Sequence, residues 1–203
     1  MKKTLITLLL ALSCTTAYAA DVNAASKVPA HAHVEIITSV GTIKLELDGK
    51  QAPLTVAHIL ALVDSGYYDG TVFHRVIPGF MAQGGGFTPN LKRKETQASE
   101  QTIPNESGNG MSNLRGTIAM ARTGDPHSAT TQFFINVADN TRLDPRKSAY
   151  NGSWGYTIFG IVIEGMDVVD KIADSKTGPG GAFSKDVPIV PIIIESMSQV
   201  TYE

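Results

Sequence analysis

The chain is nearly without cysteine: among 203 residues the one example is Cys14. It falls in a segment expected to be removed on export, so the mature protein carries no thiol. That excludes a disulfide framework, a thiol nucleophile and cysteine-ligated zinc, and it suits an oxidising compartment. Positive charge is not in excess either. With 17 Lys and Arg against 19 Asp and Glu the formal net charge is −2, which argues against nucleic acid as a partner, since phosphate binding needs clustered cations. The densest basic cluster, Lys92-Arg93-Lys94, runs straight into Glu95 in a polar stretch and reads as a solvated loop.

Several chemical signatures are missing too. There is no G-x-S-x-G elbow, which weakens a hydrolase reading. Gly84-Gly85-Gly86 leads into Phe87 and Thr88-Pro89, without the Lys-Ser/Thr of a phosphate loop. His31 and His33 lie in an expected flexible lead-in, and His58 and His127 have no partners at ligand spacing. No metal and no cofactor are expected. A membrane-spanning run is also lacking: the apolar stretch Leu5–Leu12 is too short to cross a bilayer.

That short run, with Lys2 and Lys3 before it and Ala17-Tyr18-Ala19 after it, reads as a signal peptide cleaved after Ala19. A lipoprotein anchored through Cys14 is disfavoured, because Ala11 stands where leucine is usual. The expected organisation is a signal peptide over 1–19, a flexible lead-in over 20–32 and one domain over 33–203, exported to a periplasm with no membrane insertion after cleavage. A monomer is the default expectation.

What the chain does contain is β patterning. Hydrophobic residues at 42% and charged ones at 18% fit a folded domain with a proper core. Ile43, Leu45 and Leu47 alternate with Lys44, Glu46 and Asp48, and Ser39-Val40-Gly41 supplies a turn, so Val34–Thr38 and Thr42–Asp48 should form a hairpin. In "APLTVAHILALVDSGYYDG", Pro53 suits a first helical turn, Val56, Ile59, Leu60 and Val63 recur at helical spacing, and Gly66 ends the run. Further strands are read in "TVFHRVI", "GTIAMAR", "TQFFINVA", "YTIFGIVI" and "VPIVPIIIESMSQV", with a second helix in "GMDVVDKIAD" and a long Gly/Pro/Asn-rich connection from Gly84 to Arg115. Short strands with only two helices argue for a closed antiparallel β-barrel.

Strand alternation separates core from groove. Phe133, Ile135 and Val137 share one face, which reads as core together with Ile118 and Met120. Gln132, Phe134 and Asn136 share the other, and an aromatic between two amides suits a groove better than a core. Arg75 lies opposite His74, and "HRVIPGFMAQGGG" then sets Phe80 and Met81 beside it. Trp154 reads as a loop anchor.

Three motifs in order, "FHRVIPGFMAQGGGF", "GTIAMAR" with "SATTQFFINVADN", and "YTIFGIVIEGMDVVDKI", resemble the cyclophilin family of peptidyl-prolyl cis/trans isomerases from about His33 to Ile194. The resemblance implies an eight-stranded barrel capped by two helices, with the active groove on its outer surface and proline-containing polypeptides as substrates. It implies Arg75 as the catalytic residue and Phe80, Met81, Phe134 and Leu143 as a proline pocket. Gln83 and Gln132 are implied as substrate-binding glutamines, Ala121 as the small residue beside the substrate backbone, and His74 as structural support. Arg142 stands where many eukaryotic members carry a tryptophan that helps bind the drug cyclosporin, so weak binding of that drug is expected. Tyr156 aligns loosely with a groove histidine, and the loop around Pro145–Gly155 leaves that wall open to more than one arrangement. The rival class is a non-catalytic binding module using the same groove. A carrier barrel is disfavoured, because its inward faces would be filled by Ile, Met, Phe and Val.

Overall fold

The structure, a computed structural model, describes residues 28–146 and 153–201. The expected signal peptide, most of the lead-in and the centre of the Pro145–Gly155 loop lie outside the described residues.

The expected first hairpin forms from β1 (His31–Thr38) and β2 (Gly41–Asp48), paired from His31↔Asp48 to Thr38↔Gly41. The strand starts earlier than read from the sequence. His31 and Ala32, assigned to the lead-in, belong to β1, where both His31 and His33 approach the Glu46 carboxylate across the hairpin.

The other barrel strands are β3 (Thr71–Ile77), β4 (Met81–Gly84), β5 (Thr117–Met120), β6 (Phe133–Asn136) and β7 (Ile158–Glu164). A small hairpin, β8 (Thr177–Gly180) with β9 (Phe183–Pro188), precedes the last barrel strand, β10 (Ile193–Val200). The barrel closes in the order β1-β10-β3-β4-β6-β5-β7-β2 with antiparallel neighbours throughout. The expected eight-stranded closed barrel is therefore present. β4 is not legible as a strand in the sequence: it is four residues long and buried at all but Gln83, so it offers no alternation to read. The run read as one final strand from Val187 is divided between β9 and β10.

Helix α1 (Pro53–Asp64) starts on proline, as its missing N–H allows, and buries Val56, Ile59, Leu60 and Val63 against the barrel. Its free N-terminal amides are taken by a distant side chain. The Glu106 carboxylate accepts from Leu54 N (3.0 Å) and Thr55 N (2.8 Å), which ties the long connection to the helix. A one-turn helix α2 (Gln97–Glu100) lies in that connection, and α3 (Met166–Ala173) is the second full helix. No helix among the described residues is long and apolar enough to cross a membrane.

The barrel interior is filled by Val34, Ile36, Leu45, Phe73, Ile118, Met120, Phe133, Ile135 and Phe159, among others. Phe133 makes edge contacts with Tyr68 (5.6 Å) and Phe73 (6.1 Å). A second, smaller apolar cluster of Met81, Ala119, Phe134 and Ile158 lies on the outside of the same strands. The site is built on it.

Candidate active site

Two backbone features aim the site. The first is a bulge in β3: Phe73 pairs with Gly84 and Arg75 with Gln83, so His74 is an extra residue between them. Strict alternation would put Arg75 on the same face as Phe73, inside the barrel. The bulge reverses the face after His74, so Phe73 and Val76 both enter the core while Arg75 turns outward. The second is the β3–β4 turn. Pro78 and Gly79 occupy its centre, Gly79 has φ +67°, and Phe80 N donates to Ile77 O at 3.1 Å, the geometry of a type II turn. It sets Phe80 beside Met81 at the rim.

Arg75, Phe80, Met81, Gln83, Ala121, Arg122, Phe134, Leu143 and Tyr156 line one notch of about 110 Å³. Since a cavity of about 150 Å³ holds benzene, this volume suits a five-membered ring. Arg75, Gln83 and the four apolar side chains Phe80, Met81, Phe134 and Leu143 are thus brought together as the sequence reading grouped them. Gln132 lines the adjoining cleft, which shares Gln83, Ala121 and Arg122 with the notch. Arg142 does not line the notch; its guanidinium lies 4.5 Å over the Phe80 ring and covers the rim from outside. Tyr156 packs edge-on to Phe134, with ring centroids 5.4 Å apart, and forms the opposite wall.

Arg75 is held lightly. Its Nη1 donates to Gln83 Oε1 at 3.4 Å, and Gln83 Nε2 donates in turn to Gln132 Oε1 at 3.0 Å. No carboxylate among the described residues pairs with it. Most of its five donors are therefore available beside an apolar surface.

His74 sits beneath this row. It is buried, 4.5 Å from the Phe87 ring and 5.6 Å from that of Phe183, and neither ring nitrogen has a well-formed hydrogen bond. Burial lowers its pKa to about 4; the nearby Val72 backbone and Gln132 side chain oppose that shift weakly, and the Arg75 cation adds to it. It is a neutral packing residue at ordinary pH.

A buried lattice of amides supports the pocket rim. Asn140 Nδ2 donates to Phe80 O (2.8 Å) and to Asn136 Oδ1 (2.8 Å), while Asn136 Nδ2 reaches Asn113 Oδ1 (3.2 Å) and Thr117 Oγ1 (2.9 Å). Asn113 is anchored to Asp144, next to Leu143. Burial pushes the Asp144 carboxyl up, but hydrogen bonds from Ser112 and Asn113 together outweigh it and hold the pKa below the usual value. Asn136, grouped by alternation with the groove residues, belongs to this lattice and is fully buried.

Sequence reasoning missed Arg122. Its guanidinium lies 4.6 Å over the Tyr156 ring and donates to the carbonyls of Trp154 (2.7 Å), Gly155 (3.2 Å) and Thr123 (2.9 Å). It pins the segment that carries Tyr156. The signal was an arginine directly after Ala121, at the end of a strand already tied to the groove. Trp154, read as a loop anchor, packs against His127 with centroids 5.1 Å apart but stays exposed.

A closed eight-stranded antiparallel barrel with an arginine lining an apolar notch on its outer face defines a protein of the cyclophilin class. The chain belongs to that family: residues 33–199 match the description "Cyclophilin type peptidyl-prolyl cis-trans isomerase/CLD". It is 56% identical to a peptidyl-prolyl cis-trans isomerase of Streptomyces antibioticus, over 80% of this chain and 95% of that protein. It is 50% identical to peptidyl-prolyl cis-trans isomerase A of Dickeya dadantii, over 81% and 82% of the two chains. Isomerase B of Escherichia coli is also 50% identical, over 79% and 95%. Among solved structures, a cyclophilin type isomerase of Cryptosporidium parvum superposes with a TM-score of 0.69 at 29% identity, covering 85% of this chain and 99% of that one. The protein is thus an enzyme of the peptidyl-prolyl cis-trans isomerase class.

Proposed function

We propose that the protein isomerises X-Pro bonds in polypeptides of the cell envelope, with Arg75 as the catalytic residue and Phe80, Met81, Phe134 and Leu143 holding the proline ring. The barrier to rotation, about 18–20 kcal/mol, comes from amide resonance. In the planar ground state the prolyl nitrogen shares its lone pair with the carbonyl and accepts no hydrogen bond. In the twisted state the lone pair is released. A donor aimed at that nitrogen binds the transition state better than the substrate, which is the condition for lowering a barrier.

The magnitudes require more than the arginine. Raising a rate from roughly 0.01 to about 1,000 per second takes about 7 kcal/mol, and one preorganised donor typically supplies about 3–4 kcal/mol. The remainder comes from fixing the ring and from stripping water off the planar amide. Both are served by the apolar walls. No proton moves and no covalent bond forms, so the chemistry needs a donor that stays charged at any working pH, as a guanidinium does.

The observation that carries this reading is Arg75 Nη1, held at 3.4 Å by Gln83 and otherwise unengaged among the described residues, on the rim of an apolar notch. Gln83, Gln132 and Ala121 edge the path along which the rest of a peptide would run. The envelope location rests on the N-terminal pattern, with cleavage after Ala19.

The test is a prolyl-peptide isomerisation assay on native protein and Arg75→Ala. The substitution should remove about 2–4 kcal/mol of transition-state stabilisation, as a fall in kcat/KM, with the fold intact. Unchanged turnover in the mutant defeats the role of Arg75. Absence of turnover in both proteins indicates a binding module instead.

A further inference from the structure

The three consecutive glycines of "QGGGF" have separate physical causes, and one of them reaches the active site. A Cβ on Gly84 would meet the Phe73 ring at 3.2 Å and the Val72 carbonyl oxygen at 3.3 Å, tighter than ordinary van der Waals contact, so those neighbours would have to give by a few tenths of an ångström. Gly85 has φ +80°, and a Cβ there would lie 2.8 Å from Tyr68 and 2.9 Å from Phe133. Its lack of a side chain is demanded by backbone and core together. Gly86 is different: its φ lies outside the left-handed region, and no core residue is among the nearest atoms its Cβ would meet. Instead that Cβ would fall 2.4 Å from Gln132 Cγ, 2.7 Å from Cδ and 2.9 Å from Nε2. The Gln132 side chain lies flat on the bare backbone of residue 86.

The backbone there is held on both sides. Gly86 O accepts from Lys94 N at 3.0 Å, and the next carbonyl, of Phe87, accepts from Val72 N at 2.9 Å. Gln132 is a flexible side chain and would move instead. It is also the acceptor that orients Gln83, which in turn holds Arg75.

We infer that Gly86 is a positioning residue for the isomerisation reaction: its missing side chain seats Gln132, and the row Gln132–Gln83–Arg75 transmits that seat to the guanidinium. The inference rests on the role proposed for Arg75. It also assigns the third glycine to catalysis, whereas the second serves the fold.

The test compares native protein with Gly86→Ala, Gln132→Ala and the double variant, in the peptide assay and by thermal unfolding. Gly86→Ala should lower kcat/KM about tenfold, the scale of a small misplacement, with Tm moving by no more than about 2 °C. In the Gln132→Ala background, which removes the atoms struck, adding Gly86→Ala should change nothing further. The Gln83 side-chain amide and Arg75 Nε–H resonances should shift in Gly86→Ala. Native turnover in Gly86→Ala, an equal loss in both backgrounds, or unfolding of Gly86→Ala each overturns the inference. Full activity in Arg75→Ala defeats the reading of Arg75 instead; the Gln83 amide shift and its disappearance in the Gln132→Ala background still report on Gly86 separately.

Discussion

Phe133 and Phe134 are chain neighbours on β6 that face opposite sides of one sheet. Phe133 is fully buried inside the barrel, and Phe134 is only 4% exposed on its outer surface. Burial alone does not tell them apart; their surroundings do. Phe133 meets Tyr68 and Phe73 in a closed apolar interior. Phe134 meets Met81, Ala119 and Tyr156 in a cluster that stops at a notch edged by a lightly held guanidinium and a glutamine. The inner cluster is complete by itself. The outer one is left open on its solvent side at the notch.

The sharpest way to break this contrast is to cut into the inner cluster. Phe133→Ala should cost about 3–5 kcal/mol of stability, measured by urea unfolding. A cost below about 1 kcal/mol would mean that Phe133 is not a core residue in the sense argued here.

Acid should also act on the inner side first. Folded His74 stays neutral down to about pH 4, against 6.5 for a free histidine. Between those values the unfolded chain binds a proton that the folded chain refuses, so stability rises with pH there. The contribution is complete above about pH 6.5 and is lost as pH falls toward 4, about 3 kcal/mol in all. Urea midpoints measured from pH 7 to pH 4 should show this slope, and His74→Gln should flatten it. An unchanged slope in that variant would place the acid sensitivity elsewhere. Asp144, with its pKa held below the usual carboxylate value, adds a second loss at lower pH, when its bonds to Ser112 and Asn113 fail.

On the outer side the readout should change from stability to rate. Phe134→Leu keeps most of the volume and should cost less than about 1.5 kcal/mol of stability. Because it reshapes the ring seat, turnover should fall about tenfold. If stability falls and turnover does not, the two clusters serve the same purpose and the comparison fails. The smallest effect concerns the rim. With Arg142 over Phe80 instead of a tryptophan, cyclosporin should bind weakly, and Arg142→Trp should strengthen it several-fold, as aromatic anchors do. Nanomolar affinity of the native protein in a calorimetric titration would overturn this.

Where the pattern was regular, the sequence could be read. Alternation in "TQFFINVA" and "GTIAMAR" separated Phe133, Ile135, Ile118 and Met120 from Phe134, because adjacent strand residues must face opposite ways. Helical spacing located α1. Where the pattern breaks, it could not. β4 is too short and too buried to alternate. The β8–β9 hairpin is rich in glycine and proline and lies outside the barrel. The bulge at His74 inserts one residue and inverts every face inferred after it from Phe73. Arg122 gives no local sign that its donors reach Trp154 and Gly155, more than thirty positions away.

The sequence by itself determined the class of fold, the family, and which side chains carry donors or apolar bulk, since these follow from local periodicity and from motifs whose order is preserved. Only the tertiary structure decided that Arg75 faces outward, that Gln132 rests on the bare backbone of Gly86, and that the Asn140 lattice holds Phe80 at the rim. Those relations depend on register and on contacts between residues distant in the chain, and neither a periodicity nor a short motif encodes the distance between two strands once the barrel has closed.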